Sequence, residues 1–131
     1  IVLKSAISQS VPPNEIIVAD DGSDEKTTKV LQDFISKTAI PIIHSWQKDD
    51  GCRISHSRNR AIAKSNFEYV IMVDGDTVLH RDFALDIISQ YNIISETSKE
   101  KYIIHQENVN PSYGPIVQEF LLTILSITSI G

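Results

Sequence analysis

A chain of 131 residues in which 41% of side chains are hydrophobic has the apolar material for one packed core, which sets aside a disordered tail and a multidomain array. Acidic residues outnumber basic ones by 17 to 12, and no lysine or arginine run offers a stripe for a phosphate backbone, so nucleic acid is excluded as a partner class. The single cysteine, Cys52, rules out an intrachain disulfide framework, and without a charged-then-apolar leader pattern the expectation is a reducing, cytoplasmic setting.

In chain order, residues 1–8 space Val2, Leu3, Ala6 and Ile7 as a helix does, and Val11-Pro12-Pro13-Asn14 ends it in a turn. Glu15-Ile16-Ile17-Val18-Ala19 is a nearly all-apolar run closing on two aspartates, the pattern of a parallel strand buried on both faces. Ser23 or Asp24 caps the next helix, whose apolar face is Val30, Leu31, Phe34 and Ile35. Residues 40–46 predict a second strand, 47–51 a polar loop, and 53–65 a basic helix with Ala61, Ile62 and Ala63 inside. A third strand is expected over 69–73 and a helix over 83–94. Beyond Glu100 the pattern predicts a strand at 102–105, a turn at 110–114 and an apolar stretch at 116–130. There Val117, Phe120, Leu121, Ile124 and Leu125 share a helical face, which predicts a core or interface helix. The alternation of helices and strands argues an α/β sandwich with a mostly parallel sheet and helices on both faces.

Chemistry concentrates at two acidic motifs, Asp20-Asp21-Gly22-Ser23 and Asp74-Gly75-Asp76, each following a strand. Ligands of open parallel sheets lie beyond the carboxyl ends of the strands, so both motifs converge on one edge. In an extended segment residues i and i+2 share a side, which would turn the Asp74 and Asp76 carboxylates toward one ligand. Two such charges about 4 Å apart repel by about 4 kcal/mol in a partly dry site, which favours a divalent cation or a shifted pKa. Hard oxygen donors suit magnesium, manganese or calcium. Taken alone, Asp20-Asp21-Gly22-Ser23 is more often a turn and helix cap than a ligand site, and its place after a buried-type strand reverses that. His80 follows Asp76 closely enough to complete a metal shell, but an exposed loop histidine is the plainer reading. Trp46 fits either a stacking platform or the core.

Four blocks in order resemble family 2 glycosyltransferases of the GT-A fold. Lys4-Ser5-Ala6-Ile7-Ser8-Gln9-Ser10 looks like the family's serine-leucine-glutamine helix, and residues 15–23 like its strand ending in Asp-Asp-Gly-Ser. Arg58-Asn59-Arg60-Ala61-Ile62 is similar to its arginine-asparagine helix, and residues 73–76 to its metal-binding Asp-x-Asp. Trp46-Gln47-Lys48-Asp49-Asp50-Gly51-Cys52-Arg53 further resembles a stretch of bacterial chondroitin- and galactose-type transferases, with Cys52 in place of the usual phenylalanine. The resemblance implies a GT-A, Rossmann-like nucleotide-diphospho-sugar transferase fold. It also implies inverting transfer of a sugar from a nucleotide diphosphate, most often a UDP-sugar, to a hydroxyl of a saccharide or lipid-linked glycan. Asp20 or Asp21 would bind the uracil and ribose, Arg53 the base or diphosphate, Asp74 the ribose or a metal-bound water, and Asp76 the manganese or magnesium ion. The setting it implies is bacterial polysaccharide synthesis in the cytoplasm, extending to peripheral association with the inner face of the membrane.

Two departures qualify this. The family's first strand, which sits mid-sheet, would precede residue 1, so the expectation is a single, incomplete domain over residues 1–131 that lacks a central strand and the acceptor part. No Glu-Asp pair follows Asp76, and neither Glu107 nor Glu119 has the context of a catalytic base, so none is assigned. Two rival readings stand beside transfer. One is a non-catalytic nucleotide-binding or assembly module on a degenerate glycosyltransferase fold. The other is a haloacid dehalogenase-type phosphatase with Asp74 as nucleophile and Asp76 as acid/base.

Overall fold

The structure, a computed structural model, describes residues 2–67, 69–95, 103–106 and 121–127. Helix α1 (Val2–Ile7) leads to strand β1 (Glu15–Asp21), helix α2 (Glu25–Lys37) and strand β2 (Ile42–Gln47). Helix α3 (Ile54–Ala63), strand β3 (Tyr69–Asp74), helix α4 (Phe83–Ser95), strand β4 (Ile103–Gln106) and strand β5 (Leu121–Ile127) follow. The sheet order is β2-β1-β5-β3-β4. Strand β1 is parallel to β2 and β3 to β4, while β5 lies antiparallel to both β1 and β3. Strands β1 to β4 therefore point one way and β5 the other, so the expected mostly parallel sheet is present.

Strand β5 corrects one expectation. The helix expected over residues 116–130 is, where described, the strand Leu121–Ile127. A short apolar run does not distinguish the two by periodicity. The sheet decides between them, because β1 and β3 each present an open row of backbone donors and acceptors, and only a strand satisfies both rows. This strand lies between β1 and β3, in the middle of the described sheet. The strand expected at 102–105 is β4, whereas the turn at 110–114 lies outside the described residues.

The period of two along β1 divides the core. Ile16 and Val18 pack with Leu31 of α2, Val2, Leu3 and Ala6 of α1, and Phe83, Ile87 and Ile88 of α4. Ile17 and Ala19 face the other way, onto Ala61 of α3 and Val70 of β3. Helices thus cover both faces, with α3 on its own side. Two inward assignments change: Val30 is 55% exposed and Ala63 is exposed. Leu31 is the residue that α2 buries, and Val30, about 100° further round the helix, must then point away.

Gln9 joins the two ends of the described fold. Its side-chain amide donates to the carbonyls of Ser5 at 3.0 Å and His80 at 2.8 Å, and its oxygen accepts the Ala84 N–H at 2.9 Å. That last bond satisfies a first-turn amide of α4, which has no intrahelical partner. Ser5 Oγ accepts from Leu79 N at 3.1 Å, and Ser10 N donates to Arg81 O at 2.9 Å. The segment just after Asp74-Gly75-Asp76 is therefore laced to α1. Leu31→Ala is expected to cost about 2–5 kcal/mol in urea unfolding and Val30→Ala no more than about 0.5 kcal/mol, a contrast that reads the orientation of α2 directly.

Candidate functional site

Consecutive residues of a strand point to opposite faces, so Asp20 and Asp21 do different work. Asp20 is 1% exposed and accepts from Ser23 N at 2.9 Å, from Ser23 Oγ, and from His44 Nε2 at 2.7 Å. It closes the turn after β1 and ties β1 to β2. Asp21, on the α3 face, accepts from Gln47 Nε2 at 2.6 Å and from the Arg53 amide at 2.8 Å. The Gln47 bond lowers its pKa most. Burial opposes the shift, and the Arg53 amide with the charges of Arg53 and His56 adds to it, leaving the carboxyl below the ordinary carboxylate range.

Gly22 makes this arrangement possible. Its φ of +90° is a left-handed conformation, and a Cβ there would lie 2.5 Å from Asp49 Cβ and 2.6 Å from Asp49 Cα. The turn after β1 and the loop after β2 therefore meet in backbone-to-backbone contact. Trp46 Nε1 adds a bond to Ser23 O at 3.1 Å, while the indole remains 46% exposed. Trp46 is thus an exposed anchor and not a core residue. Asp24, the second of the two expected caps, is the one that closes α2, accepting from the amides of Lys26 and Thr27.

At the second motif β3 ends at Asp74, and Thr77 N donates to Asp74 O at 3.1 Å, folding residues 74–77 into a turn. The extended i, i+2 geometry expected for Asp74 and Asp76 stops there, because Gly75 and Asp76 occupy the turn's middle. Asp74 shares the α3 side of β3 with Val70 and Met72, and Arg58 Nη2 lies 3.7 Å from its Oδ1. Asp76 is exposed. No group of three or more histidine, cysteine or acidic side chains poised for a metal occurs among the described residues.

Helix α3 gathers the rest. Arg53 is its N-cap residue and offers no side-chain capping bond, Arg58 reaches Asp74, and His56 Nδ1 lies 2.7 Å from Gln47 Oε1. The Nε atoms of Arg53 and Arg58 are buried without a hydrogen-bond partner among the described residues, as is the Thr77 hydroxyl. Of the five residues singled out in the sequence, Asp21, Arg53 and Asp74 collect about α3, Asp20 turns to the opposite face, and Asp76 stands at the turn. From the sequence Gln47 carries no role beyond its place in the Trp46–Arg53 block, His56 reads like His80 as a plain exposed histidine, His44 draws no attention, and Arg58 stays outside the site. The Trp46–Arg53 block and the alternation along β2 hinted at Gln47, and pairing each with its partner required the β1–β2 register. His80, weighed as a metal ligand, bonds Asp86 at 2.9 Å instead.

The model of the family described as Glycosyl transferase family 2 matches residues 1–95. The chain belongs to glycosyl transferase family 2. Its fold is accordingly GT-A, in agreement with the layered α/β architecture. Among its relatives, the cholesterol galactosyltransferase of Borreliella burgdorferi is 35% identical over 75 residues, 57% of this chain and 20% of that protein. The poly-beta-1,6-N-acetyl-D-glucosamine synthase of Staphylococcus epidermidis is 28% identical over 89 residues, 68% of this chain and 21% of the relative. The chondroitin synthase of Escherichia coli is 36% identical over 62 residues, 47% of this chain and 9% of the relative. The matched part of this glycosyltransferase domain thus spans about a fifth of the first two relatives and less of the third. No solved structure matches it significantly.

Two outcomes follow from this geometry. Gly22→Ala is expected to destabilise the domain by about 1–3 kcal/mol in urea unfolding, because strain and the Asp49 contact add. The lowered pKa of Asp21 contributes stability that is complete above the ordinary carboxylate range, about pH 4, and is lost as pH falls through the lower folded value. Asp21→Asn is therefore expected to flatten the acid limb of a stability-versus-pH curve.

Proposed function

We propose that this domain is the donor-binding part of an inverting glycosyltransferase that moves a sugar from a nucleotide diphosphate, a UDP-sugar, to a saccharide or lipid-linked glycan hydroxyl. The observation that carries the reading is the gathering of Asp21, Arg53, Arg58 and Asp74 about one helix at the carboxyl edge of the sheet, where both buried guanidinium Nε–H groups lack acceptors among the described residues. A diphosphate supplies such acceptors, and a planar guanidinium fork suits them. The amino-terminal end of α3, with no side-chain cap, adds partial positive charge to the same corner.

In this reading Asp21 orients Arg53 toward the base or diphosphate through the Arg53 amide, and Asp74 meets the ribose or a metal-bound water. Asp20 acts one step back, holding the turn that presents Asp21. A cation fits the chemistry of the turn: the candidate donors Asp74 and Asp76 are hard oxygens, and the buried Thr77 hydroxyl beside them has no partner among the described residues. Magnesium or manganese is bound through few carboxylates when substrate phosphates and water complete its shell, which accords with the absence of a three-ligand cluster among the described residues. Such an ion, held by Asp76, would offset the charge that grows on the departing diphosphate.

The relatives' names cover sterol galactosylation and glycan polymer synthesis, and the acceptor proposed here is of that saccharide or lipid class. The proposed setting is the cytoplasm, with peripheral association at the inner membrane face. No helix among the described residues is long and apolar enough to cross a membrane. The phosphatase alternative has no footing in a family 2 chain whose Asp-x-Asp follows its third strand.

Calorimetric titration of UDP into the folded chain tests the reading. Binding is expected with manganese and not with chelator, and Asp76→Ala is expected to weaken it by about tenfold or more. A folded chain that binds no UDP with either metal would overturn it.

A further inference from the structure

Gln47 is 3% exposed, and chemistry fixes which way its amide points. A carboxylate only accepts, so the atom that meets Asp21 Oδ1 at 2.6 Å is the amide nitrogen. The amide oxygen is then the atom 2.7 Å from His56 Nδ1, and because a carbonyl oxygen only accepts, Nδ1 carries the hydrogen. The chain Asp21–Gln47–His56 thereby selects one imidazole tautomer. It leaves Nε2, on the far edge of the ring, as the atom that gains or loses a proton while the bond to Gln47 persists.

His56 is exposed, and it follows Arg53 by one turn of α3. Asp21 from β1 lies close to it, helical spacing sets Arg53 one turn before it and Arg60 one turn after it, Arg58 stands on the same helix, and Gln47 from β2 is neutral. Asp21 and Arg53 carry opposite charges and offset one another at this corner. A proton on His56 Nε2 would add to the positive charge that Arg53 and Arg58 bring to the same helix.

We infer that His56 is a further anion-binding residue of the donor site, with Gln47 as its positioning residue: protonated at Nε2, His56 faces the diphosphate beside Arg53 and makes donor affinity proton-dependent. The inference rests on the donor-site reading above. Binding a nucleoside diphosphate would take up a proton at His56, and affinity would rise on acidification.

The test is titration of UDP with manganese into the full chain and into His56→Ala, at about pH 8 and about pH 6, in two buffers of different ionisation enthalpy to count protons. The terminal phosphate of UDP also titrates in this interval, but it does so for both proteins, so the difference between them reports the imidazole. The expected result is an affinity gain on acidification roughly two- to fivefold larger in the parent than in the variant, the size of a partly exposed charge pair, with the extra proton uptake absent from the variant. Equal gains and equal proton uptake would overturn the inference and leave the donor site standing, since UDP would have bound. A folded parent chain that binds no UDP at either pH would overturn both. Imidazole nitrogen NMR supplies a readout free of ligand: the neutral ring is expected as the Nδ1–H tautomer, released toward Nε2–H in Gln47→Leu. An Nε2–H ring in the parent would refute the positioning role.

Discussion

The alternation of side chains along β1 is the constraint on which the site depends. Two adjacent carboxylates at the end of one strand look interchangeable in the sequence, yet the pleat sends them to opposite faces. Asp20 is consumed by structure, holding the Ser23 turn and the His44 ring in a dry environment where an unpaired charge would be costly. Asp21 is thereby free to serve the α3 face, where Gln47 and the Arg53 amide orient it. A one-residue slip of β1 would exchange these roles and also turn the Ile16 and Val18 core outward, so packing and site share one register.

Two loops must then be held at the same edge, and the fold uses a different device for each. The loop after β2 is brought against the turn after β1 by the missing side chain of Gly22, reinforced by the Trp46 indole. The segment after β3 is held from the opposite end of the chain, by Gln9 and Ser5 of the α1 region reaching His80, Ala84 and Leu79. Glu15 does a related job at the far end of β1, accepting from both the backbone and the side-chain amide of Asn66. Polar side chains with buried positions thus fix the connections, while apolar ones fix the layers.

Helix α3 translates this scaffold into electrostatics. It packs on β1 through Ala61 and presents Arg53, His56 and Arg58 along the carboxyl edge. Cationic side chains near the amino-terminal end of a helix gain nothing from its dipole, so their presence here is better understood through the carboxylates they face and the anion they would hold. That balance would suit the proposed site, which would bind a charged diphosphate and later release it.

By itself the sequence determined the element order through α4, the strand-then-carboxylate motifs and the family, because these rest on local periodicity and on blocks read in order. It could not decide the state of Leu121–Ile127: a short apolar run is compatible with helix or strand, and the open ladders of β1 and β3 made it a strand. It could not rank Asp20 against Asp21, orient Val30, or join His56 to Asp21 through Gln47, because each depends on which face a residue shares with a partner from another element. Those are consequences of strand register and helix packing, which exist only once distant segments meet. Tertiary structure therefore decided which of the legible residues hold the fold and which are left to meet a ligand.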